Sequence, residues 1–261
     1  MKKLKLALIG CGKLNEIVAE AKKSGYLQQY EIVAVLGRNQ ERAKKFAEKY
    51  GCAACETIEE LIEFKPDYVA EAASIKAVHD YGEKVLTAGA NLVVLSIGAF
   101  ADEKFYETIK DTALKNNSKV YIASGAVGGF DVLRTAALMS PIKTTFSAKK
   151  SPESLKNTPL FKEELLSIDE KTEVFRGTTK TAIGLLPTKV NVAIATALAS
   201  SGTENTDMDI CVEPGFKGDE YDICVEGEEV KAQLKIYSRT SKIAAWSVIE
   251  VLENAASPIV F

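Results

Sequence analysis

Two glycines one residue apart, Gly10 and Gly12, stand in "LALIGCGKLNE" between an apolar run and a segment of helical spacing. A glycine at the first position permits a tight turn, and one at the second lets the backbone approach a pyrophosphate. The amides of Lys13 and Leu14 then open a helix whose N-terminus favours an anion. The third glycine of this pattern serves close helix–strand packing, and Asn15 stands in its place. The two glycines that would touch a dinucleotide are therefore kept, and the substitution predicts a slightly displaced helix. At the end of the second apolar run the residues are Leu36-Gly37-Arg38-Asn39. An Asp or Glu there would bind the ribose hydroxyls of NAD. Arg38 instead can pair with a 2′-phosphate and stack on adenine, which favours NADP over NAD. The other reading of Arg38 is a solvated loop residue.

Such residues need a scaffold, and the composition allows one. The chain has 261 residues, 46% hydrophobic and 26% charged, with a formal net charge of −3. That supports one large domain or two modest ones and gives no field for nucleic acid or an anionic membrane. No apolar run is long enough to span a bilayer. "MKKLKLALIG" reads as a first strand rather than a leader, because Lys5 interrupts a short apolar run with no small-residue cleavage site after it. Five cysteines without a leader point to reduced thiols and a cytoplasmic protein. Cys52 and Cys55 form a C-x-x-C within "YGCAACETIEE", a context that fits a short buried strand ahead of a helix better than a redox pair. With one histidine and no second cysteine pair, no metal site is expected.

Strand-length apolar runs alternate with helical patterns through the first half: Lys3–Ile9, Tyr30–Leu36, Asp67–Glu71, Leu92–Leu95 and Lys119–Ala123 are the strands. This order predicts a Rossmann-type, doubly wound parallel sheet covered on both faces. Thr57 with Glu60, and Ser74, are the helix-capping residues. After Ser124 the texture changes. "SGAVGGFDVL" is a glycine-rich loop entering a helix, "MDICVE", "YDICVE" and "EVKAQLKIY" alternate as half-buried strands, and helical segments lie near 179–185 and 190–199. A second α+β domain with a mostly antiparallel sheet follows. The expected division is a dinucleotide-binding domain over 1–123, with the C-terminal segment 239–261 packing back on it, and a substrate domain over 124–238. The stretch near 149–159 reads as a mobile connection.

Along nearly the whole chain the sequence resembles the L-aspartate dehydrogenase family. The match is carried by "EAASIKAVHDYGEKVL", "LSIGAFADE", "SGAVGGFDVL", "FRGTTKTAIGLLPTKVNVAIATALA" with its Pro187, Asn191, Val192 and Ala193, and "RTSKIAAWSVIEVL". The resemblance implies a two-domain enzyme, often a homodimer. It would interconvert L-aspartate with iminoaspartate, or oxaloacetate plus ammonia, using NAD(P), in some organisms for NAD biosynthesis. It implies that Ala126 and Asn191 contact the nicotinamide end. Ala73 and Ser74 join the cofactor-binding set, and Ser124, Gly125 and Arg176 the substrate-binding set.

The chain departs from the family at the acid. The family's catalytic histidine lies in a late strand, in an Asn-x-His segment; here Asp219 aligns with the asparagine and Tyr221 with the histidine. The single histidine, His79, lies in the helix after Ser74 and reads as surface or structural. A tyrosine can act as an acid but has a reference pKa of about 10, so a nearby cation is needed for it to act as a base. Lys189 is one candidate for that charge. The other reading of Tyr221 is an ordinary strand residue. Two further departures, Lys150-Ser151-Pro152 and Arg176-Gly177, touch the same region; an arginine at 176 could bind a substrate carboxylate bidentately or equally sit on the surface. Three functions stay open: an aspartate dehydrogenase with a substituted acid, an oxidoreductase on another small oxo or amino acid, and a catalytically inactive NAD(P)-binding protein.

Overall fold

The computed structural model describes residues 3–186 and 190–261. They fall into two compact units, one of residues 1–125 with 244–261 and the other of residues 126–243.

In the first unit six parallel strands run in the order β3-β2-β1-β4-β5-β6. They are β1 (Leu4–Ile9), β2 (Tyr30–Leu36), β3 (Ala53–Cys55), β4 (Tyr68–Glu71), β5 (Asn91–Val94) and β6 (Val120–Ile122). The crossovers are α1 (Lys13–Lys23), α2 (Gln40–Tyr50), α3 (Ile58–Glu63), α4 (Ile75–Thr87) and α5 (Glu103–Lys115). This is the Rossmann order, with its switch point between β1 and β4. Central strands buried on both faces need unbroken apolar runs, and β4 is buried along its whole length. Side-chain oxygens start the helices: Asn39 accepts from Arg42 N, Thr57 from Glu60 N, Ser74 from Ala77 N, and Asp102 from Lys104 and Phe105 N.

The last helix, α9 (Lys242–Ala256), supplies Val248, Ile249 and Leu252 to the core of this unit, beside Leu6, Leu8, Tyr30 and Val35. Tyr30 Oη donates to Leu252 O at 2.7 Å, and Leu27 N donates to the Glu253 carboxylate.

The second unit carries a five-stranded mixed sheet in the order β11-β10-β7-β9-β8. Its strands are β7 (Lys143–Lys150), β8 (Thr172–Thr178), β9 (Thr206–Val212), β10 (Asp219–Glu226) and β11 (Lys231–Ser238); its helices are α6 (Phe130–Met139), α7 (Thr179–Leu185) and α8 (Asn191–Leu198). Only β7 and β9 pair in parallel; the other three ladders are antiparallel. Met208, Ile210 and Val212 of β9 and Tyr221, Ile223 and Val225 of β10 are buried on one face. Their neighbours in sequence, such as Asp209 and Asp222, lie on the other, as a period of two requires.

Two strands escape the alternation pattern. In β7, "KTTFSAKK" holds only Phe146 and Ala148 as apolar residues, yet it is the middle strand. β8, "TEVFRGT", reads no more clearly. The stretch expected as a mobile connection is a correction as well. Lys149 and Lys150 end β7, and a 3₁₀ turn follows at Pro152–Leu155, with Pro152 and Leu155 buried and Leu155 packed with Leu165 and Val212.

Candidate functional site

At the carboxyl ends of β1, β2 and β4 a cleft of about 560 Å³ opens, lined by Gly10, Cys11, Gly12, Arg38, Ala73 and Ser74 among others. Gly10 has φ +107°, and a Cβ there would lie 2.8 Å from Ala72 O. The tight turn therefore excludes any side chain. Gly12 is the N-cap of α1; no side chain caps this end, and a Cβ at Gly12 would meet nothing within 4 Å. A side chain would only fill open space at a helix N-terminus, the kind of cradle in which a pyrophosphate fits. Lys13 and Leu14 open that helix.

Asn15 is fully buried, and its Nδ2 donates to Ile9 O at 3.0 Å and Gly10 O at 2.8 Å. The packing glycine has been replaced by an amide that grips the end of β1, while its own Oδ1 finds no partner among the described residues. Arg38 and Arg42 both line the cleft at the tip of β2, and neither makes an ion pair among the described residues. Asn39, beside them, is engaged in capping α2.

The loop after β4 is organised by a residue the sequence pattern did not single out. Glu71 is 1% exposed, and its carboxylate accepts from Ala73 N, Ser74 N, Ser96 N and Ser96 Oγ at 2.7–3.0 Å. Burial pushes its pKa up against these donors. The amides of Ala73 and Ser74 are thereby used, so contact of these residues with a dinucleotide would fall to their other atoms. Gly125 N donates to Ser247 Oγ of α9 at 2.9 Å, with Ser124 half-buried before it.

In the second unit the inner face of the sheet carries Tyr221. The residue is 5% exposed, and its ring packs on Phe146 at 5.6 Å between centroids. Lys150 Nζ donates to Tyr221 Oη at 3.1 Å and forms an ion pair with Asp219. Burial pushes the Tyr221 phenol up, the Lys150 ammonium pulls it down, and Asp219 raises it again; the net direction is up. The group therefore keeps its proton through the neutral range.

Arg176 does not join it. Phe175 pairs with Ile210, on the face of Tyr221, whereas Arg176 pairs with Asp209, on the opposite face. Arg176 is exposed there and held bidentately by Glu173. The parity of the strand puts the two residues on opposite faces of the sheet, the surface placement that is the other reading of Arg176. Ala126 begins the second unit, Asn191 is the first residue of α8 and half-buried, and Lys189 and Pro187 lie outside the described residues.

The remaining candidates are structural. His79 packs its ring on Phe105 at 4.1 Å. All five cysteines are free, and burial pushes the Cys52 thiol up to about 11, against a redox role for the C-x-x-C. Among the described residues no group of ligating side chains could hold a metal ion, and no helix is long and apolar enough to cross a membrane.

The sheet order and the glycine turn place the first unit in the dinucleotide-binding class. Comparison with known proteins goes further. Residues 9–123 match the NAD binding domain of homoserine dehydrogenase, and residues 131–255 the C-terminal part of aspartate dehydrogenase. The chain is 31% identical over 266 residues to an L-aspartate dehydrogenase of Methanococcus maripaludis strain C5, covering 98% of each. It is 33% identical over 268 residues to an L-aspartate dehydrogenase of Methanosarcina mazei, again covering 98% of each. A crystal structure of aspartate dehydrogenase from Thermotoga maritima shares the fold, with a TM-score of 0.80 at 24% identity over 99% of each chain. The chain belongs to the L-aspartate dehydrogenase family.

Proposed function

We propose that this chain interconverts L-aspartate with iminoaspartate, and so with oxaloacetate and ammonia, using NADP in preference to NAD, and that Tyr221 is the acid. The observation that carries the reading is the buried, protonated phenol of Tyr221, with the Lys150 ammonium 3.1 Å from its oxygen. A nicotinamide cofactor in the cleft would supply or accept the hydride. Gly10, Gly12, Lys13 and Leu14 would hold its pyrophosphate, with Ala73 and Ser74 beside it. Ala126 and Asn191 would meet the nicotinamide end, and Ser124 and Gly125 the substrate.

In the aminating direction ammonia adds to the oxo carbon to give a carbinolamine. The Tyr221 O–H bond breaks, its proton passes to the carbinolamine oxygen, the C–O bond breaks, and water leaves. Iminium and phenolate remain, and the phenolate recovers its proton from solvent once the amine is formed. General acid catalysis of this kind contributes about 10²–10⁴-fold.

NADP preference is supported by the tip of β2, where Arg38 and Arg42 line the cleft. Among the described residues Arg176 lies on the far face and Lys150 is the cation at Tyr221; the second reading is an oxidoreductase on another small oxo or amino acid. Five free cysteines fit a reducing, cytoplasmic setting, and a homodimer follows from family likeness; light scattering checks the latter.

The test follows NADPH and NADH absorbance with oxaloacetate and ammonium, beside Tyr221→Phe. Turnover that falls by about 10²-fold or more in the variant supports the acid. Turnover unchanged by the variant removes Tyr221 from the chemistry. No turnover in the parent with either nucleotide removes aspartate.

A further inference from the structure

We infer that Lys150 is a positioning residue for the acid: its ammonium fixes Tyr221 Oη, with Asp219 fixing the ammonium in turn. This rests on the reading of Tyr221 as the acid.

The arrangement follows from strand register. β7 and β10 run antiparallel, with Glu220 opposite Lys149 and Tyr221 opposite Ala148. Lys150, the next residue of β7, ion-pairs with Asp219 at the start of β10 and reaches Tyr221 on the same face. The ammonium is within hydrogen-bond distance of the phenol oxygen at 3.1 Å, and lies 5.1 Å from the ring centroid. It also pairs with the Asp219 carboxylate. The Lys150 side chain is 12% exposed, so it does not wander as a surface lysine would.

Lysine has three donors and no acceptor. In the bond between Nζ and Oη the hydrogen must therefore come from lysine. The phenol keeps its own hydrogen to donate, and the Asp219 carboxylate beside it is an acceptor that raises the phenol's pKa. When that proton leaves, the phenolate oxygen already has a cation against it. Burial alone would lower the lysine's pKa, but its partners outweigh it, Asp219 being the charged one while the phenol keeps its proton.

Among the described residues the neighbouring strands present apolar side chains on this face. On the same face β7 presents Phe146 and Ala148, β9 presents Ile210 and Val212, and β11 presents Ile236 opposite Tyr221. The helix α8, packed on β7, has no charged residue. Lys149 and Glu220 pair with each other on the opposite face.

The experiment uses the full chain with carbon-13-labelled tyrosine, the Cζ resonance of Tyr221 being the one lost in Tyr221→Phe. Lys150→Met is expected to move that resonance at neutral pH and to raise its titration midpoint by about one pH unit or more. Lys150→Arg is expected to return it toward the parent. Asp219→Asn is expected to shift the midpoint downward, the sign opposite to Lys150→Met. In steady-state kinetics Lys150→Met lowers kcat by about 10-fold or more with the KM for oxaloacetate little changed, since transition-state and not ground-state interactions are lost. Lys150→Arg recovers part of kcat. A folded Lys150→Met protein with the parent resonance overturns the inference. Should that variant fail to fold, an Asp219→Asn resonance identical to the parent's does the same. If the parent turns over no substrate, the aspartate reading fails while the resonance still decides Lys150.

Discussion

The side-chain amide of Asn15 donates to the carbonyl of Gly10 at 2.8 Å, binding the first residue of the glycine turn to the helix that follows it. The same nitrogen reaches Ile9 O at 3.0 Å. A fingerprint position that normally carries no side chain has become a clamp across the turn.

Asn15→Ala should therefore lose more than a packing change would cost. Removing a buried amide with two bonds destabilises by about 1–3 kcal/mol. A denaturant titration reads this directly, and a variant within a few tenths of the parent would show the clamp to be idle. Nucleotide affinity should weaken as well, because the Gly10–Gly12 backbone is held by this contact.

Arg38→Ala should weaken NADPH binding while leaving NADH binding nearly as it is. Loss of a charge-assisted bond of about 1.5–3 kcal/mol corresponds to roughly 10–100-fold in Kd. Fluorescence titration with the two nucleotides gives the ratio. Equal losses for both would mean that Arg38 acts on the shared adenine or the fold rather than on the 2′-phosphate.

How far these sites could be read from the chain differs between the two units. The parallel sheet was legible because each strand is an apolar run and capping residues such as Thr57 and Ser74 mark helix starts. Tyr221 as a candidate came from its alignment with the family histidine, and its role as acid is a proposal. Lys150 stands out in the sequence only as a departure near that region; its contact with Tyr221 depends on β7 pairing with β10, and β7 has only two apolar residues to announce it. Arg176 shows the converse. Its residue type suits a carboxylate, but one step of strand parity puts it on the other face. Glu71 escaped because a carboxylate at the end of a buried strand looks like a sequence exception until Ala73, Ser74 and Ser96 fold around it.

The pH profile should report the change of acid. Burial raises the Tyr221 phenol above its ordinary value near 10, so the protonated form persists through neutrality and is lost only as pH rises through that higher value. An aminating activity limited by this acid is then level across pH 6–8, the range in which a histidine of pKa about 6.5 would titrate. Tyr221→His should introduce a fall in kcat near neutrality as pH rises. A parent profile that already breaks near pH 6.5 would contradict a phenolic acid.

Arg176→Ala should leave the KM for oxaloacetate within about twofold, since its partner is Glu173 on the exposed face. Initial-rate measurements suffice. A rise of about 10-fold or more would place a substrate carboxylate on that face and reverse the assignment.

Val248, Ile249 and Leu252 have a consequence for how the protein is made. They complete a core begun by Leu6, Leu8 and Tyr30, so the first unit waits for almost the entire chain to leave the ribosome before its interior is filled. The second unit, continuous from 126 to 243, is synthesised in that interval and can finish first. A translation arrest before residue 248 leaves the dinucleotide-binding half without these core residues.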